Sequence, residues 1–212
     1  RPRAATAAPR AGPAAPGPLA PERLAKFQGA AARRQRGLVV VLENPDRLDA
    51  GAILRSCDAF GVAEVHFVFE QVKPFDPLAN RQVIKSEGSN LWVCSRVFGS
   101  VADCSQHLVD EGYTSVAVLP SGSRGGRAVS IFEAALTGCD RLALWLGNGP
   151  LSEGVMSFVD AQLFVSEAGD AEGPTAANAA AVALAEAVRQ RVSTPEPDRW
   201  RLEPEEQAAV VR

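Results

Sequence analysis

Histidine and cysteine are scarce in this chain of 212 residues, which has two histidines and four cysteines. The cysteines, at positions 57, 94, 104 and 139, form no C-x-x-C pair, and the two histidines lie in different predicted elements. This spacing argues against the usual zinc sites and predicts no metal. We expect Cys57 to be a core residue and the other three to be buried or inert, as in a reducing compartment.

Long apolar runs are also missing, since no stretch of the chain approaches the ~20 residues that span a bilayer. The sequence therefore predicts no membrane partner. No G-x-G-x-x-G motif follows the first predicted strand, which argues against a dehydrogenase or another dinucleotide-binding enzyme.

Acidic residues are absent from residues 1–18, which are rich in alanine, proline and arginine. Such a composition cannot build a core. It is similar to the end of an organelle transit peptide, and we expect residues 1–20 to be a disordered leader or a transit-peptide remnant. The predicted location is therefore a chloroplast or a mitochondrion, with the cytoplasm as the alternative.

The rest of the sequence fits a single domain of ordinary size, and the chain has 46% hydrophobic and 22% charged residues. We predict a basic N-terminal helix over residues 21–36, the folded domain over residues 37–192 and a Pro/Glu-rich tail over residues 193–212. Eight basic residues but one acid precede Gly37, so the net charge of −3 conceals a basic arm on an acidic body. The arm could bind phosphates, although cations also stabilise a helix C terminus by ~0.3–1 kcal/mol without any ligand.

Strands and helices alternate along the predicted domain. Short apolar runs predict strands at residues 38–42, 64–69, 91–93, 115–119, 141–146 and 162–165. Periodic segments predict helices at residues 49–60, 101–111 and 174–191, the second with Val101, Cys104, Leu108 and Val109 facing inward. This alternation predicts an α/β fold, a mostly parallel sheet with helices on both faces.

The first helix of the domain follows the first strand after a short connection. Asp49 is its predicted cap, Ile53 and Cys57 fall on its inner face, and Gly61 ends it in a left-handed conformation. Arg55 points the other way, near the carboxyl edge of the sheet, where open α/β proteins bind their ligands. From the residues alone, an arginine paired with Asp58 or merely exposed explains this position better than a catalytic role does.

Residues 23–69 resemble the amino-terminal half of the SpoU/TrmH family of RNA ribose 2'-O-methyltransferases. The first motif of that family is an Asn-x-x-Ala-Ile-hydrophobic-Arg-Thr helix that ends in Asp-Ala-hydrophobic-Gly, and this chain has DAGAILRSCDAFG. Arg55 matches the family's catalytic arginine, and Asp49 stands where the family has asparagine. The resemblance implies a C-terminal trefoil knot, S-adenosylmethionine as the methyl donor, an RNA partner (tRNA or rRNA) and a homodimer.

The resemblance also implies the site residues. Three loops would hold the methyl donor, and their matching positions here are Val118, Leu119, Gly147, Val165 and Pro174. Thr175 falls at the third motif and completes the catalytic candidates with Arg55 and Asp49. In the family the N-terminal extension helps to hold tRNA, which makes Arg33, Arg34 and Arg36 the predicted RNA contacts. An arginine cannot act as a base at an ordinary pKa of ~12.5 or above, so Arg55 would orient the nucleotide's phosphate and activate the 2'-hydroxyl.

Two motifs depart from the family pattern. The second, GNGPLS, is two residues shorter and has Gly149 in place of glutamate, and the third reads Gly173-Pro174-Thr175 where the family has Ser-Leu-Asn. Loss of one preorganised polar contact typically costs ~10²–10³ in rate. Two interpretations therefore stay open: an active methyltransferase acting on a D-loop guanosine of tRNA or on rRNA, and a catalytically weak homologue that serves as an RNA-binding or assembly subunit of an organellar complex.

Overall fold

A computed structural model describes residues 21–77, 79–80, 83, 93–119, 127–165 and 174–210. The helices in chain order are α1 (Pro21–Ala31), α2 (Arg47–Ala59), α3 (Val101–Asp110), α4 (Glu153–Phe158), α5 (Ala176–Val192) and α6 (Pro204–Val210), with a 3₁₀ helix at Pro197–Trp200. The strands are β1 (Gln35–Glu43), β2 (Val62–Val68), β3 (Cys94–Phe98), β4 (Thr114–Leu119), β5 (Val129–Ser130), β6 (Leu142–Gly147) and β7 (Ala161–Phe164).

The strands form one sheet in the order β3-β2-β1-β6-β4-β7-β5, and every ladder between neighbours in the described part is parallel. The central strand β1 is buried from residue 38 onward, as its continuous apolar run predicts. Alternate residues of β1 face opposite layers: Val40 packs with α2 and α5, and Val41 packs with α3 and α4. The predicted α/β fold with helices on both faces is confirmed.

The predicted basic helix over residues 21–36 is too long. Helix α1 ends at Ala31, and Gln35 already begins β1, where its N–H donates to the carbonyl of Gly61 at 2.6 Å. The run of three arginines therefore does not cap a helix. It forms the turn and the extended backbone through which the chain enters the sheet.

The cap of helix α2 lies three residues earlier than predicted. It is Asp46, whose carboxylate accepts the backbone N–H groups of Leu48 and Asp49, so the prediction that Asp49 is the cap is wrong. Gly61 does adopt a left-handed conformation, with φ of 76°, directly after the helix. Ile53 and Cys57 are buried as expected.

Val109, predicted to face inward, is instead 63% exposed. The strand predicted at residues 91–93 lies mostly outside the described residues, and the observed strand β3 follows it at Cys94–Phe98, where Cys94 is exposed. The predicted tail contains the 3₁₀ helix and α6 within its described residues.

The C-terminal segment folds back onto the start of β1. Gln35 pairs with Arg201 in an antiparallel bridge, and the N–H of Leu202 donates to the carbonyl of Arg34 at 3.3 Å. Trp200 is buried beneath the guanidinium of Arg191, whose carbon lies 4.2 Å from the ring centre. The segment is therefore part of the domain.

Arg191 connects helix α5 to the contact between the C-terminal segment and β1. Its guanidinium donates to the carbonyls of Arg36 at 2.7 Å and Gly37 at 3.0 Å. Burial lowers the pKa of Arg191 to about 10, so the group remains charged at neutral pH. A buried charge held by two carbonyls and an aromatic face ties α5, β1 and the C-terminal segment together.

Candidate active site

Three of the predicted donor-binding segments leave the sheet side by side. Strands β6, β4 and β7 are neighbours and run parallel, so their carboxyl ends lie along one edge. Leu119 pairs in register with Phe164, and Gly147 lies two residues beyond the Trp145 that pairs with Ala117. Neighbouring strands are ~4.8 Å apart, so the three chain exits fall within about 10 Å of one another.

The side chains at these exits are apolar and buried. Val118, Leu119 and Val165 are 4%, 6% and 7% exposed. Pro174 is half-buried immediately before α5. Residues 120–126 and 166–173 of the first and third loops lie outside the described residues. The described parts form an apolar edge at which three strands end. Such an edge suits a flat, partly apolar ligand.

Next to this edge, the connections that follow two neighbouring strands go to opposite faces of the sheet. The chain leaves β1 into α2 on one face of the sheet, whereas it leaves the adjacent β6 into α4 on the other face. Adjacent parallel strands whose connections part in this way open a crevice at their carboxyl ends, where open α/β proteins bind ligands. A cavity of about 290 Å³ lies there, lined by residues 43–44, 71, 147–150 and 152.

Glu43 is the charged residue of this crevice. It ends β1 opposite Gly147 in the ladder and is 4% exposed. Its Oε2 accepts the backbone N–H of Ser152 at 2.9 Å, while Oε1 is buried with no hydrogen-bond partner among the described residues. Ser152 in turn caps α4 by accepting the N–H of Val155 at 3.3 Å. The carboxylate therefore fixes the turn between β6 and α4.

Asn44 holds the opposite wall in a left-handed conformation, with φ of 47°. Its N–H donates to the carbonyl of Val68 at 2.8 Å, and its Oδ1 accepts the N–H groups of Glu70 at 3.0 Å and Gln71 at 2.8 Å. Asparagine tolerates this conformation better than most residues. The contacts lock the exit of β1 to the exit of β2.

The turn after β6 is tight at one glycine and open at another. A Cβ atom on Gly147 would lie 3.2 Å from the carbonyl oxygen of Gly149 and 3.2 Å from the Leu151 side chain. A Cβ atom on Gly149 would meet nothing within 4 Å. Gly147 thus permits a close backbone approach, whereas Gly149, which replaces the family's glutamate, has room for a side chain.

The predicted catalytic residues lie on two helices of one face. Arg55 is on the exposed side of α2, and α2 packs against α5 through the shared core. Asp49 is half-buried in the first turn of α2, where burial raises its pKa and the charge of Asp46 raises it further. Thr175 caps α5, and its Oγ1 accepts the N–H of Asn178 at 3.3 Å. Asp58, the partner considered for Arg55, binds Arg34.

The basic arm lies at the other end of the central strand. Arg36 and Glu43 are seven residues apart on β1, which corresponds to roughly 23 Å at 3.3 Å per residue. Arg33 is exposed. Arg36 pairs with Glu203 and Glu206, each at 3.4 Å. The arm and the crevice therefore occupy opposite edges of the sheet in one chain.

Arg34 does not form part of a phosphate-binding surface. It is 2% exposed, and its guanidinium donates to the carbonyl of Val62 at 2.9 Å and to the carboxylate of Asp58 at 2.5 Å. This contradicts the prediction that Arg34 contacts RNA. Its charge is used to hold the start of β1 against the end of α2.

Sequence reasoning missed Glu43, Asn44 and Ser152. The available signal was position, because the first two residues follow directly on the buried run of β1, and polar residues at the carboxyl end of a central strand commonly line a site. In the part of the chain that the structure describes, no three metal-ligating side chains cluster. None of the helices in the same described residues is long and apolar enough to cross a membrane.

Known proteins share this sequence pattern. The model of the SpoU rRNA Methylase family matches residues 37–185. A tRNA (guanosine(18)-2'-O)-methyltransferase of Thermus thermophilus is 34% identical over 179 residues, which cover 82% of this chain and 85% of that protein. The Escherichia coli K12 protein of the same name is 28% identical over 174 residues, covering 81% of this chain and 71% of that protein.

Solved structures share the fold. The A. aeolicus TrmH/SpoU tRNA modifying enzyme superposes with a TM-score of 0.76 at 24% identity, over 90% of this chain and 93% of that one. The SpoU methyltransferase AviRb from Streptomyces viridochromogenes, solved with AdoMet, superposes with a TM-score of 0.63 at 24% identity, over 78% of this chain and 62% of that one.

Proposed function

Because the chain belongs to the SpoU rRNA methylase family, we propose that it methylates the ribose 2'-hydroxyl of a guanosine in tRNA, with S-adenosylmethionine as methyl donor. The names of the Thermus and E. coli relatives support tRNA and guanosine. The observation that carries the proposal is the common edge formed by the ends of β6, β4 and β7, next to the crevice at β1.

The residues at this edge fit the donor. Val118, Leu119 and Val165 supply buried apolar walls for an adenine ring, and Gly147 lets the ligand approach the backbone closely. Pro174 would close the third side. When bound, the donor supplies an activated methyl group on a sulfonium. The protein must then hold the ribose hydroxyl in line at ~3 Å.

Arg55 is the proposed contact to the RNA at this step. Arg55 is exposed on α2, and a guanidinium binds a phosphate through two parallel hydrogen bonds. It would orient the nucleotide rather than take its proton, because an arginine stays protonated at neutral pH. Asp49 and Thr175 are the proposed neighbours on α2 and α5, although Thr175 already serves as a helix cap.

The proposal includes a homodimer, a trefoil knot and an organellar location, all three resting on the expectations drawn from the sequence. The alanines of α5 do not support a dimer by themselves, because Ala180, Ala183 and Ala187 are buried in the same core as Ile53 of this chain. Light scattering of the purified protein tests the dimer, and imaging of the tagged full-length protein in its own cells tests the location.

The activity is tested with purified protein, S-adenosylmethionine and a tRNA transcript. We expect 2'-O-methylguanosine in the nucleosides released by digestion, and Arg55→Ala should abolish it. Arg47→Ala is the matched control, since Arg47 is another exposed arginine on α2. A protein that binds tRNA and donor but transfers no methyl group would instead favour the RNA-binding or assembly subunit. Methylation of rRNA alone would contradict the proposed substrate.

A further inference from the structure

We propose that the buried carboxylate of Glu43 accepts a hydrogen bond from a ribose hydroxyl bound in the crevice between β1 and β6. This inference rests on the proposed function, because both ligands of the proposed reaction carry ribose. Nothing in the sequence motifs pointed to Glu43.

The first support is an unsatisfied oxygen. Glu43 is 4% exposed, its Oε2 is taken by the N–H of Ser152, and its Oε1 is buried with no donor among the described residues. Burying a carboxylate oxygen without a hydrogen bond is costly. Asp160 differs, since its Oδ2 accepts the N–H of Ser115 at 2.8 Å and the residue is exposed, so water can reach its other oxygen.

The second support is where the oxygen lies. Glu43 lines the 290 Å³ cavity at the point where the chain connections of β1 and β6 part to opposite faces. Open α/β folds bind ligands at such a point, and in the dinucleotide-binding members an acidic residue there accepts a ribose hydroxyl. The terminal torsion of a glutamate is soft, so a small rotation turns Oε1 toward the cavity.

The third support is the composition of the cavity. Its described lining includes the amides of Asn44, Gln71 and Asn148 but no lysine or arginine. A phosphate is disfavoured there because the buried carboxylate would repel it. A neutral group that donates a hydrogen bond fits, and a ribose hydroxyl is the donor that both proposed ligands share.

The ribose has two possible sources, the methyl donor and the target nucleotide, and Glu43→Gln distinguishes them. The amide preserves shape and can still accept the N–H of Ser152, but it places an NH₂ group where Oε1 was. The first experimental arm measures the affinity of S-adenosylhomocysteine by calorimetry. The second measures the affinity of a tRNA transcript that carries either guanosine or 2'-deoxyguanosine at the methylated position. Asp160→Asn is the control, a carboxylate that also binds a backbone N–H but lies outside the cavity.

We expect Glu43→Gln to weaken one of the two ligands about 10- to 100-fold, the usual range for a hydrogen bond to a charged group. If the ribose belongs to the donor, the affinity of S-adenosylhomocysteine falls. If it belongs to the RNA, the wild type prefers guanosine over 2'-deoxyguanosine and the variant loses that preference. Unchanged affinities in both arms, relative to Asp160→Asn, would overturn the inference.

Two safeguards keep the test decisive. If Glu43→Gln does not fold, the wild type is compared with deoxyribose forms of both ligands, and equal binding of the ribose and deoxyribose forms overturns the inference. Failure of the proposed function gives a different result. A protein that never methylates tRNA but binds S-adenosylhomocysteine through Glu43 would contradict the proposed function alone. An active enzyme whose ligand affinities are unchanged by Glu43→Gln would contradict the inference about Glu43 alone.

Discussion

Arg34 and Asp58 form a partly buried ion pair, with Nη2 2.5 Å from Oδ1 and side-chain exposures of 3% and 32%. The pair joins the entry of β1 to the last turn of α2, the helix that carries Arg55. Within the basic arm, Arg34 therefore stabilises the fold, whereas Arg33 and Arg36 remain at the surface.

Arg34→Ala should destabilise the fold, and Arg33→Ala should not. Removing Arg34 leaves Asp58 and the carbonyl of Val62 without their donor, which should cost about 3 kcal/mol. Removing the exposed Arg33 should change the free energy of unfolding by less than about 0.5 kcal/mol. Urea denaturation measures both. Arg33→Ala should instead weaken tRNA binding and reduce its salt dependence; equal stability losses in the two variants would contradict this division.

Gly147→Ala and Gly149→Ala should behave differently although they lie in one turn. At Gly147 the added methyl group would press on the carbonyl of Gly149 and on Leu151 at 3.2 Å, which should cost about 1–3 kcal/mol and weaken S-adenosylhomocysteine binding. At Gly149 the methyl group meets open space. Thermal unfolding and calorimetry of the two variants provide the measurement, and a stability loss at Gly149 as large as that at Gly147 would contradict the described packing.

Acid should remove the contribution of Glu186 to stability. The carboxylate accepts hydrogen bonds from Arg189 and Gln190, which lower its pKa to about 2. A folded-state pKa below the ordinary value of 4.5 means that the contribution is fully present above about pH 4.5 and is lost as pH falls through about 2.

Glu186→Gln should therefore be less stable than the wild type at pH 7, and the difference should shrink between pH 4.5 and pH 2. Chemical denaturation across this range measures it. Glu133→Gln, at an exposed position outside the helices, is the control and should show little difference at either end. A Glu186→Gln deficit that is independent of pH would point to packing rather than charge.

The acidic helix α6 should restrain RNA binding by the arm. Glu203 and Glu206 neutralise Arg36 from the C-terminal segment. Replacing both glutamates by glutamine should raise tRNA affinity severalfold at low salt, while stability changes by less than about 1 kcal/mol because the pairs are exposed. In an Arg36→Ala background the replacement should have no effect on affinity. An equal gain of tRNA affinity in the Arg36→Ala background would show that the two glutamates repel RNA directly and do not act through Arg36.

The features that the sequence predicts well depend on residues within a single segment. The buried runs of β1, β4 and β6 and the periodicity of α2 and α5 are local, and together they predicted the parallel sheet. The positions Leu119, Gly147 and Val165 came instead from the family resemblance. The family resemblance drawn from the first motif is confirmed by the match over residues 37–185.

The features that were missed have different physical reasons. Arg34 looked like a surface cation because Asp58 and Val62 lie on later elements. Strand β3 lies at the edge of the sheet, and its residues are exposed or half-buried, so it has no continuous apolar run. Asp46 and Asp49 are equally good caps by residue type, and only the hydrogen bonds to Leu48 and Asp49 distinguish them.

The antiparallel bridge between Gln35 and Arg201 has a consequence for biosynthesis. Helices α2 to α5 separate Gln35 from Arg201 in sequence. Because synthesis runs from the amino to the carboxyl end, the first residue of β1 cannot make this contact until the segment after α5 has been translated. Contacts so distant in sequence slow folding. A stop codon directly after α5 would therefore leave Gln35 without its antiparallel partner.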